Sequence, residues 1–161
     1  MKRVLGLALL ILACVAITVT HAEPLLIYNP SQSVPSGFYL RSDVTPQRGA
    51  FVTVAAAEVA SDYATLRDYA DHSDYFLKRV AAAEGQVVCA EDERISIDGV
   101  QVATRAARDG EGRALPTWRG CHRLGTGEVF LLGDTDDSFD GRYWGPISAD
   151  LIQGVWRPLS D

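Results

Sequence analysis

Apolar residues in this chain form one long N-terminal run and then many short runs separated by turns. The run Val4–Thr20 has 17 residues and carries no charge. The later runs have the length and the β-branched and aromatic content of strands. The predicted strands are Phe38–Leu40, Gly49–Ala56, Tyr75–Ala82, Gln86–Cys89, Arg94–Ile97, Glu128–Leu132 and Leu151–Trp156. The pattern therefore predicts a mainly antiparallel β domain.

Three stretches differ from the strand pattern. Between Glu58 and Ala70, apolar side chains recur at helical spacing, which predicts one short helix. Asp98-Gly99 separates two short apolar runs and has the composition of a tight hairpin turn. The stretch Ala106–Leu115 is polar and contains glycine, so we expect a surface loop there.

The long apolar run predicts export from the cytoplasm. As a helix at about 1.5 Å per residue it spans roughly 26 Å, which is near the short limit for crossing a bilayer. Lys2 and Arg3 precede the run and Glu23 follows it, a charge order that favours a cytoplasmic N-terminus. Residues 1–22 are therefore expected to be an inner-membrane anchor, with residues 23–161 forming one domain in the periplasm.

Two alternatives for this segment stay open. Thr20–Ala22 is an acceptable signal-peptidase cleavage site, and cleavage there leaves a free periplasmic domain. Ile11–Cys14 faintly resembles a lipoprotein box, in which Leu12 fits poorly. All three possibilities place residues 23–161 outside the cytoplasm.

Charge and lysine content change the picture in two ways. The formal net charge is −6, which gives no basic footprint for nucleic acid. The chain has 13 Arg and two Lys, and Lys78 is the only lysine after Lys2. The arginine excess has the bland explanation of a compositional bias. Arginine does not lose its proton in proteins whereas a buried lysine can, so Lys78 is a candidate general base.

Two cysteines lie in the expected periplasmic domain. Disulfides persist outside the cytoplasm, so Cys89 and Cys121 are candidates for a bridge. The alternative is two separate buried thiols, and the sequence does not decide between them. No spacing of Cys and His suggests zinc, and we expect neither a metal nor another cofactor.

Two segments carry the residue types needed for acyl transfer. Asn29–Gly37 is a loop in which two prolines flank Ser31 and Ser33. A serine hydroxyl is a weak nucleophile that needs a base within hydrogen-bond reach. Tyr75–Val80 places Lys78 in an apolar strand, where desolvation lowers the pKa of an ammonium group. Taken singly, each segment is more often an ordinary turn or a lysine at a strand edge.

The third segment is an acidic loop, Gly133–Gly145. Its carboxylates suggest calcium, but Ile147 stands where an EF-hand loop needs a bidentate Glu, so a calcium site is rejected. An acidic surface turn is the simplest interpretation. In the chemical interpretation the loop supports a site: Asp140 pairs with Arg142, and Ser138 bonds the catalytic lysine.

These three segments, in this order after an N-terminal apolar run, resemble the bacterial signal peptidase I family. The family has a Ser-x-Ser-x-Pro loop, a Lys-Arg-Val/Ala strand and a Gly-Asp-Asn-x-x-x-Ser-x-Asp-Ser-Arg loop. This chain has Ser31–Pro35, Lys78–Val80 and Gly133–Arg142 in those places. Val34, Thr135 and Gly141 depart from the family's usual residues. The resemblance covers Tyr28 to Arg157 and implies the family's β-rich catalytic fold.

The resemblance implies a role for each matched residue. Ser33 corresponds to the nucleophile and Lys78 to the general base, and Ser31 with the Ser33 N–H corresponds to the oxyanion hole. The remaining matches are Ser138, which orients the lysine, and the supporting residues Asp134, Asp140 and Arg142.

The opening Tyr28–Tyr39, Tyr-Asn-Pro-Ser-x-Ser-Val-Pro-x-Gly-x-Tyr, resembles the TraF-type peptidases of conjugative transfer more than the leader-peptidase branch. The implied substrate is then a pilin-like precursor, the product is linear or cyclic, and the expected partners are the membrane and conjugation or type IV secretion components.

Two rival functions remain. A Ser-His-Asp triad requires His72 or His122, because His21 lies at the membrane boundary, and the chain lacks a Gly-x-Ser-x-Gly elbow. A non-enzymatic periplasmic assembly protein of a conjugation or secretion system keeps the anchor and the β domain but needs no neutral Lys78. The distance between Ser33 and Lys78 discriminates between these interpretations.

Overall fold

The computed structural model describes residues 23–66 and 74–159. The predicted anchor or signal segment, residues 1–22, lies outside the described residues, as does the end of the predicted helix beyond Leu66. Among the residues that are described, no helix has the length and hydropathy needed to span a bilayer.

Eleven strands dominate the described part of the chain and form two antiparallel sheets. The seven-stranded sheet has the order β1-β2-β11-β3-β4-β9-β10, and the four-stranded sheet has the order β7-β6-β5-β8. The mainly antiparallel β prediction is thus confirmed. The strands are β1 Leu26–Asn29, β2 Gly37–Ser42, β3 Phe51–Ala55, β4 Tyr75–Ala82, β5 Val87–Glu91, β6 Arg94–Ile97, β7 Val100–Thr104, β8 Gly120–Arg123, β9 Glu128–Leu132, β10 Ile147–Ser148 and β11 Ile152–Pro158.

The helical prediction needs correction. Instead of one helix over Glu58–Ala70, the structure has two shorter helices, α1 (Ala56–Val59) and α2 (Ser61–Leu66). The break falls at Ala60, whose backbone has φ −154° and ψ 56°. A third short helix, α3 (Gly141–Trp144), and a 3₁₀ turn at Ala149–Leu151 follow the acidic loop. Apolar spacing cannot report a single non-helical residue between two helical turns.

The turn prediction at Asp98-Gly99 agrees with the structure. Asp98 has φ 51° and Gly99 has φ 81°, and β6 and β7 pair directly across them. Positive φ at both central residues is what a type I′ hairpin requires. β7 is the second arm of this hairpin. Three strands were not predicted, namely β1, β8 and β10; all have four residues or fewer, and β8 has no buried side chain.

Both faces of the larger sheet are buried, as the alternation along β9 shows. Val129 and Leu131 pack into a cluster with β3 and β11, whereas Phe130 and Leu132 pack against the four-stranded sheet. A third cluster, beneath the loop that joins β1 to β2, contains the fully buried Val34. The larger sheet therefore holds that loop, β4 and the loop after β9 in a fixed arrangement.

Candidate active site

The loop between β1 and β2 carries Ser33 and is held by hydrogen bonds to two buried side chains. The buried Asn29 side chain donates from Nδ2 to the carbonyl oxygens of Ser31 (2.9 Å) and Pro35 (3.1 Å). Its Oδ1 accepts from the Ser31 N–H at 3.1 Å. Tyr39 donates its hydroxyl to Pro35 O at 2.6 Å. Because these bonds hold backbone groups of Ser31 and Pro35, which flank Ser33, the loop keeps Ser33 in a defined position.

Strand β4 places Lys78 directly beneath Ser33. Phe76, Lys78 and Val80 share one face of β4, as the strand period of two requires. Lys78 is 4% exposed, and its Nζ lies 2.8 Å from Ser33 Oγ. The two residues predicted as base and nucleophile, 45 positions apart in sequence, are therefore in hydrogen-bond contact.

Burial determines the ionisation of this lysine. Loss of solvation lowers the pKa of Lys78 to about 8, against an ordinary value of 10.5. The nearby carboxylate of Asp140 acts in the opposite direction, but its attraction is the smaller effect. A lysine with a pKa near 8 has an appreciable neutral fraction around neutral pH, as a general base requires.

Two further hydroxyl groups complete the polar cluster. Ser138 is 3% exposed and its Oγ lies 3.1 Å from Lys78 Nζ. Ser31 Oγ lies 3.1 Å from Ser33 Oγ and accepts the Ser33 N–H at 3.2 Å. The structure thus brings together the four residues predicted as nucleophile, base, base-orienting hydroxyl and oxyanion donor.

The loop after β9 holds the Ser33 loop from the other side. The Asp134 N–H donates to Ser33 O at 2.5 Å. The Asp134 carboxylate accepts two hydrogen bonds from Arg79, at 2.9 Å and 2.6 Å. At Gly133 there is no room for a side chain, because a Cβ would lie 2.7 Å from both Ser33 O and Ser138 Cβ. The Gly-Asp pair is therefore a close backbone junction between two loops.

Asp140 and Arg142 form a buried ion pair behind this junction, at 0% and 2% side-chain exposure. Arg142 Nε donates to Asp140 Oδ1 at 2.8 Å, and the Gly133 N–H donates to Asp140 Oδ2 at 2.7 Å. The guanidinium also donates to the carbonyl oxygens of Thr135 and Asp136. The pair therefore fixes both ends of the loop that carries Ser138.

A cleft of about 470 Å³ opens beside Ser33 and Lys78. One side is β1 and the Ser33 loop, and the other is the start of β4. Residues Tyr75–Lys78 pair with β3, whereas pairing of β4 with β9 begins only at Arg79. One edge of β4 is consequently unpaired where it borders the cleft. An unpaired edge offers backbone donors and acceptors to an extended peptide.

The other candidate residues lie away from this cleft. Cys89 and Cys121 are directly opposite each other on β5 and β8 and are disulfide-bonded. His122 contacts Glu128 at 2.8 Å and does not line the cleft, while His72 is outside the described residues. Within 23–66 and 74–159, no group of His, Cys, Asp and Glu is arranged to hold a metal ion.

Three contributors to the site were missed from the sequence. Asn29 and Tyr39 hold the Ser33 loop, and Arg79 holds Asp134. All three lie within motifs that carry the family resemblance: Arg79 in the Lys-Arg-Val strand, and Asn29 and Tyr39 in the opening Tyr28–Tyr39. The motifs gave none of them a role, which only the contacts in the structure supply.

Comparison with known proteins places the chain among transfer proteins and signal peptidases. It is 36% identical over 144 residues to a plasmid transfer protein TraF of Escherichia coli, covering 81% of this chain and 80% of that protein. A conjugal transfer protein TraF of Agrobacterium fabrum is 40% identical over 85 residues, which is 52% of this chain and 47% of the relative.

Among solved structures, a signal peptidase I from Enterococcus faecalis is similar at a TM-score of 0.40 and 20% identity, covering 71% of this chain and 98% of that one. The family model described as "Signal peptidase, peptidase S26" matches residues 1–159. The chain therefore belongs to the signal peptidase family, peptidase S26.

Proposed function

We propose that this protein is a serine endopeptidase that uses Ser33 as nucleophile and Lys78 as general base to cleave an exported precursor protein. The observation that carries the proposal is the 2.8 Å contact between Ser33 Oγ and a lysine that is 4% exposed. A salt-bridging or surface lysine would be charged and unable to accept a proton, whereas desolvation favours the neutral amine.

The reaction is acyl transfer in two steps. Neutral Lys78 takes the Ser33 proton as Ser33 Oγ bonds to the scissile carbonyl carbon. The ammonium of Lys78 then donates that proton to the leaving amine as the C–N bond breaks. Water, or an amine of the substrate itself, loses a proton to Lys78 as it attacks the acyl carbon. The ester C–O bond to Ser33 then breaks, and Lys78 returns that proton to Ser33 Oγ. Attack by water gives a linear product and attack by the substrate amine gives a cyclic one.

Ser31 and the backbone N–H of Ser33 supply the oxyanion site in this mechanism. In the free protein these two groups bond each other at 3.2 Å. A carbonyl oxygen that enters between them exchanges that weak contact for two donors aimed at its developing charge. One such donor is typically worth about 3–4 kcal/mol in the transition state.

Two features support a precursor that binds as an extended segment. The unpaired edge of β4 borders the cleft, and β1 faces it from the other side. A peptide strand between them gains main-chain hydrogen bonds regardless of its sequence.

The TraF relatives are named for plasmid or conjugal transfer. A pilin-like precursor of a conjugation system is thus the proposed substrate, and type IV secretion components are the proposed partners.

The proposed location is the periplasmic face of the inner membrane. Val4–Thr20 is apolar and follows two basic residues, which favours an anchor with the domain exported. The Cys89–Cys121 disulfide fits an oxidising compartment. A soluble periplasmic domain after cleavage near Ala22 is the alternative.

The test is processing of the pilin precursor in membranes that contain the full-length protein. We expect wild type to mature the precursor and both Ser33→Ala and Lys78→Arg to leave it uncut, since Lys78→Arg keeps the charge but removes the base. Ser36→Ala, in the exposed part of the same loop, is the matched control and should process normally.

Product mass then separates hydrolysis from cyclisation, because a cyclic product lacks the water that hydrolysis adds. Continued processing by both catalytic variants would overturn the peptidase proposal. The non-enzymatic assembly role would take its place if conjugation nevertheless required the protein.

A further inference from the structure

Tyr63 lines the cleft and has no part in the proposed mechanism. It lies on α2, in the connection between β3 and β4, and contributes to the wall of the same cleft as Ser33 and Lys78. Its ring stacks on Phe139 with centroids 3.6 Å apart and an interplanar angle of 14°. Two stacked aromatic rings fill a large volume at the wall of the cleft.

Phe139 joins this stack to the catalytic loop. It lies between Ser138 and Asp140 in sequence, and its ring contacts Phe76 of β4 at 5.9 Å, edge to face. Phe76 is on the face of β4 that also carries Lys78. The rings of Tyr63, Phe139 and Phe76 therefore form one aromatic wall, made of three separate elements, at the cleft beside the reacting groups.

The wall is supported from behind. Phe139 stacks against Tyr143 at 5.2 Å, and Phe76 stacks on Trp144 at 5.3 Å. Arg113, from the polar loop after β7, lies close enough to Tyr63 to interact electrostatically. These contacts leave Phe139 and Phe76 with little freedom to move aside.

We infer that Tyr63 is a specificity-determining residue: with Phe139 it closes the cleft and limits the size of one substrate side chain close to the scissile bond. The inference rests on the proposed peptidase function and adds a determinant outside the serine–lysine cluster. A rigid aromatic wall excludes a bulky side chain by steric overlap and accepts a small one. Truncating the Tyr63 ring removes one layer of that wall and leaves Ser33, Lys78 and Ser138 in place.

The experiment measures selectivity with the full-length protein in membranes. The probes are pilin precursors in which each of the three residues before the cut is changed in turn to Ala, Val, Leu or Phe. We expect wild type to reject Leu and Phe at one of these positions. Tyr63→Ala should raise relative processing of the Leu and Phe precursors at that position by about 10-fold or more, the effect typical of changing pocket size. Tyr63→Phe keeps the aromatic ring and should show the selectivity of wild type among these precursors.

Three outcomes overturn the inference. Unchanged selectivity in Tyr63→Ala does so directly. An equal gain at all three positions does so as well, since it indicates general loosening of the cleft. A shift in the pH midpoint of Tyr63→Ala with unchanged selectivity assigns Tyr63 to positioning of Lys78 instead.

Separate controls distinguish a folding defect of the variant from a failure of the peptidase proposal. If Tyr63→Ala is not folded, Tyr63→Leu and Phe139→Leu give the same comparison with more retained volume, and normal selectivity in both overturns the inference. If wild type processes no precursor and matches Ser33→Ala, the peptidase proposal itself fails. Normal wild-type processing with unaltered variant selectivity removes only the role of Tyr63.

Discussion

At the scale of single residues, the proposed chemistry of the cleft depends on the protonation state of Lys78. Desolvation and the charge of Asp140 act on it in opposite directions, and desolvation is the larger effect, which leaves a pKa of about 8. At pH 7 about a tenth of the molecules then carry the neutral amine. An ordinary lysine with a pKa of 10.5 would be neutral in fewer than about one molecule in a thousand. Burial of this side chain thus raises the neutral fraction of Lys78 at pH 7 by roughly two orders of magnitude.

The first prediction follows from this pKa. In the proposed mechanism, processing should increase about tenfold per pH unit below pH 8 and level off above it, because only neutral Lys78 accepts the Ser33 proton. Single-turnover processing of the precursor between pH 6 and 10 measures the profile. A flat profile would show that Lys78 is not the base.

The pH dependence of the free energy of unfolding reports the pKa of Lys78 independently of activity. The folded protein binds the Lys78 proton less tightly than the unfolded chain, since the folded pKa is the lower one. The resulting cost to stability is full below pH 8 and is lost as the pH rises toward 10.5. The free energy of unfolding of wild type should therefore increase across that window relative to Lys78→Met.

At the scale of elements, the site depends on a loop held by buried charge. Asp140 accepts from the Gly133 N–H and caps the start of α3 by accepting from the Arg142 N–H. Arg142 bonds carbonyl oxygens of Thr135 and Asp136 with its guanidinium. A loop of eight residues is thereby closed at both ends by one ion pair, and Ser138 within it is held against Lys78.

The second prediction concerns that ion pair. Arg142→Met should destabilise the protein by about 3–5 kcal/mol, because it leaves the fully buried Asp140 carboxylate without its partner. Urea unfolding measures the change. The matched control is Arg94→Met, whose pair with Glu91 is more than half exposed and should contribute less than about 1 kcal/mol. Equal effects of the two substitutions would contradict the structural role given to Arg142.

At the scale of the whole molecule, hydrogen bonds join the segment after β7 of the smaller sheet to α3 behind the site. Arg105 donates to the carbonyl oxygen of Arg142 at 3.1 Å, and the Tyr143 hydroxyl accepts from the Ala106 N–H. Within that sheet, the disulfide connects β5 to β8, an edge strand whose side chains are all exposed. A strand that buries no apolar side chain gains little from packing, so its pairing with β5 and the disulfide hold it in place.

The third prediction tests that link. Replacing both Cys89 and Cys121 by Ser should lower the free energy of unfolding by about 2–4 kcal/mol, the usual effect of losing a native disulfide. Precursor processing should persist at temperatures where the variant is folded, since neither cysteine lines the cleft. Urea unfolding with and without a reductant measures the effect, and the double variant should not respond to the reductant. A wild-type protein that is equally insensitive would argue against the bridge.

The apolar pattern predicted many elements because strand alternation is a local property of the chain. The run Tyr75–Ala82 coincides with β4, and the Asp98-Gly99 turn needs only its own two backbone conformations. The predicted helix was divided at Ala60, and β8 was missed because strands without buried residues are recruited by pairing rather than by their own sequence.

For the candidate site, the resemblance of three motifs to the signal peptidase family named Ser33, Lys78 and Ser138, and the structure places their side chains in one hydrogen-bonded cluster. What only the tertiary structure decided are the contacts between distant segments. They include the depth at which Lys78 is buried, the Arg79–Asp134 pairing across 55 residues and the stacking of Tyr63 on Phe139. Such contacts depend on how two sheets and three loops pack together, and no single stretch of sequence carries that information.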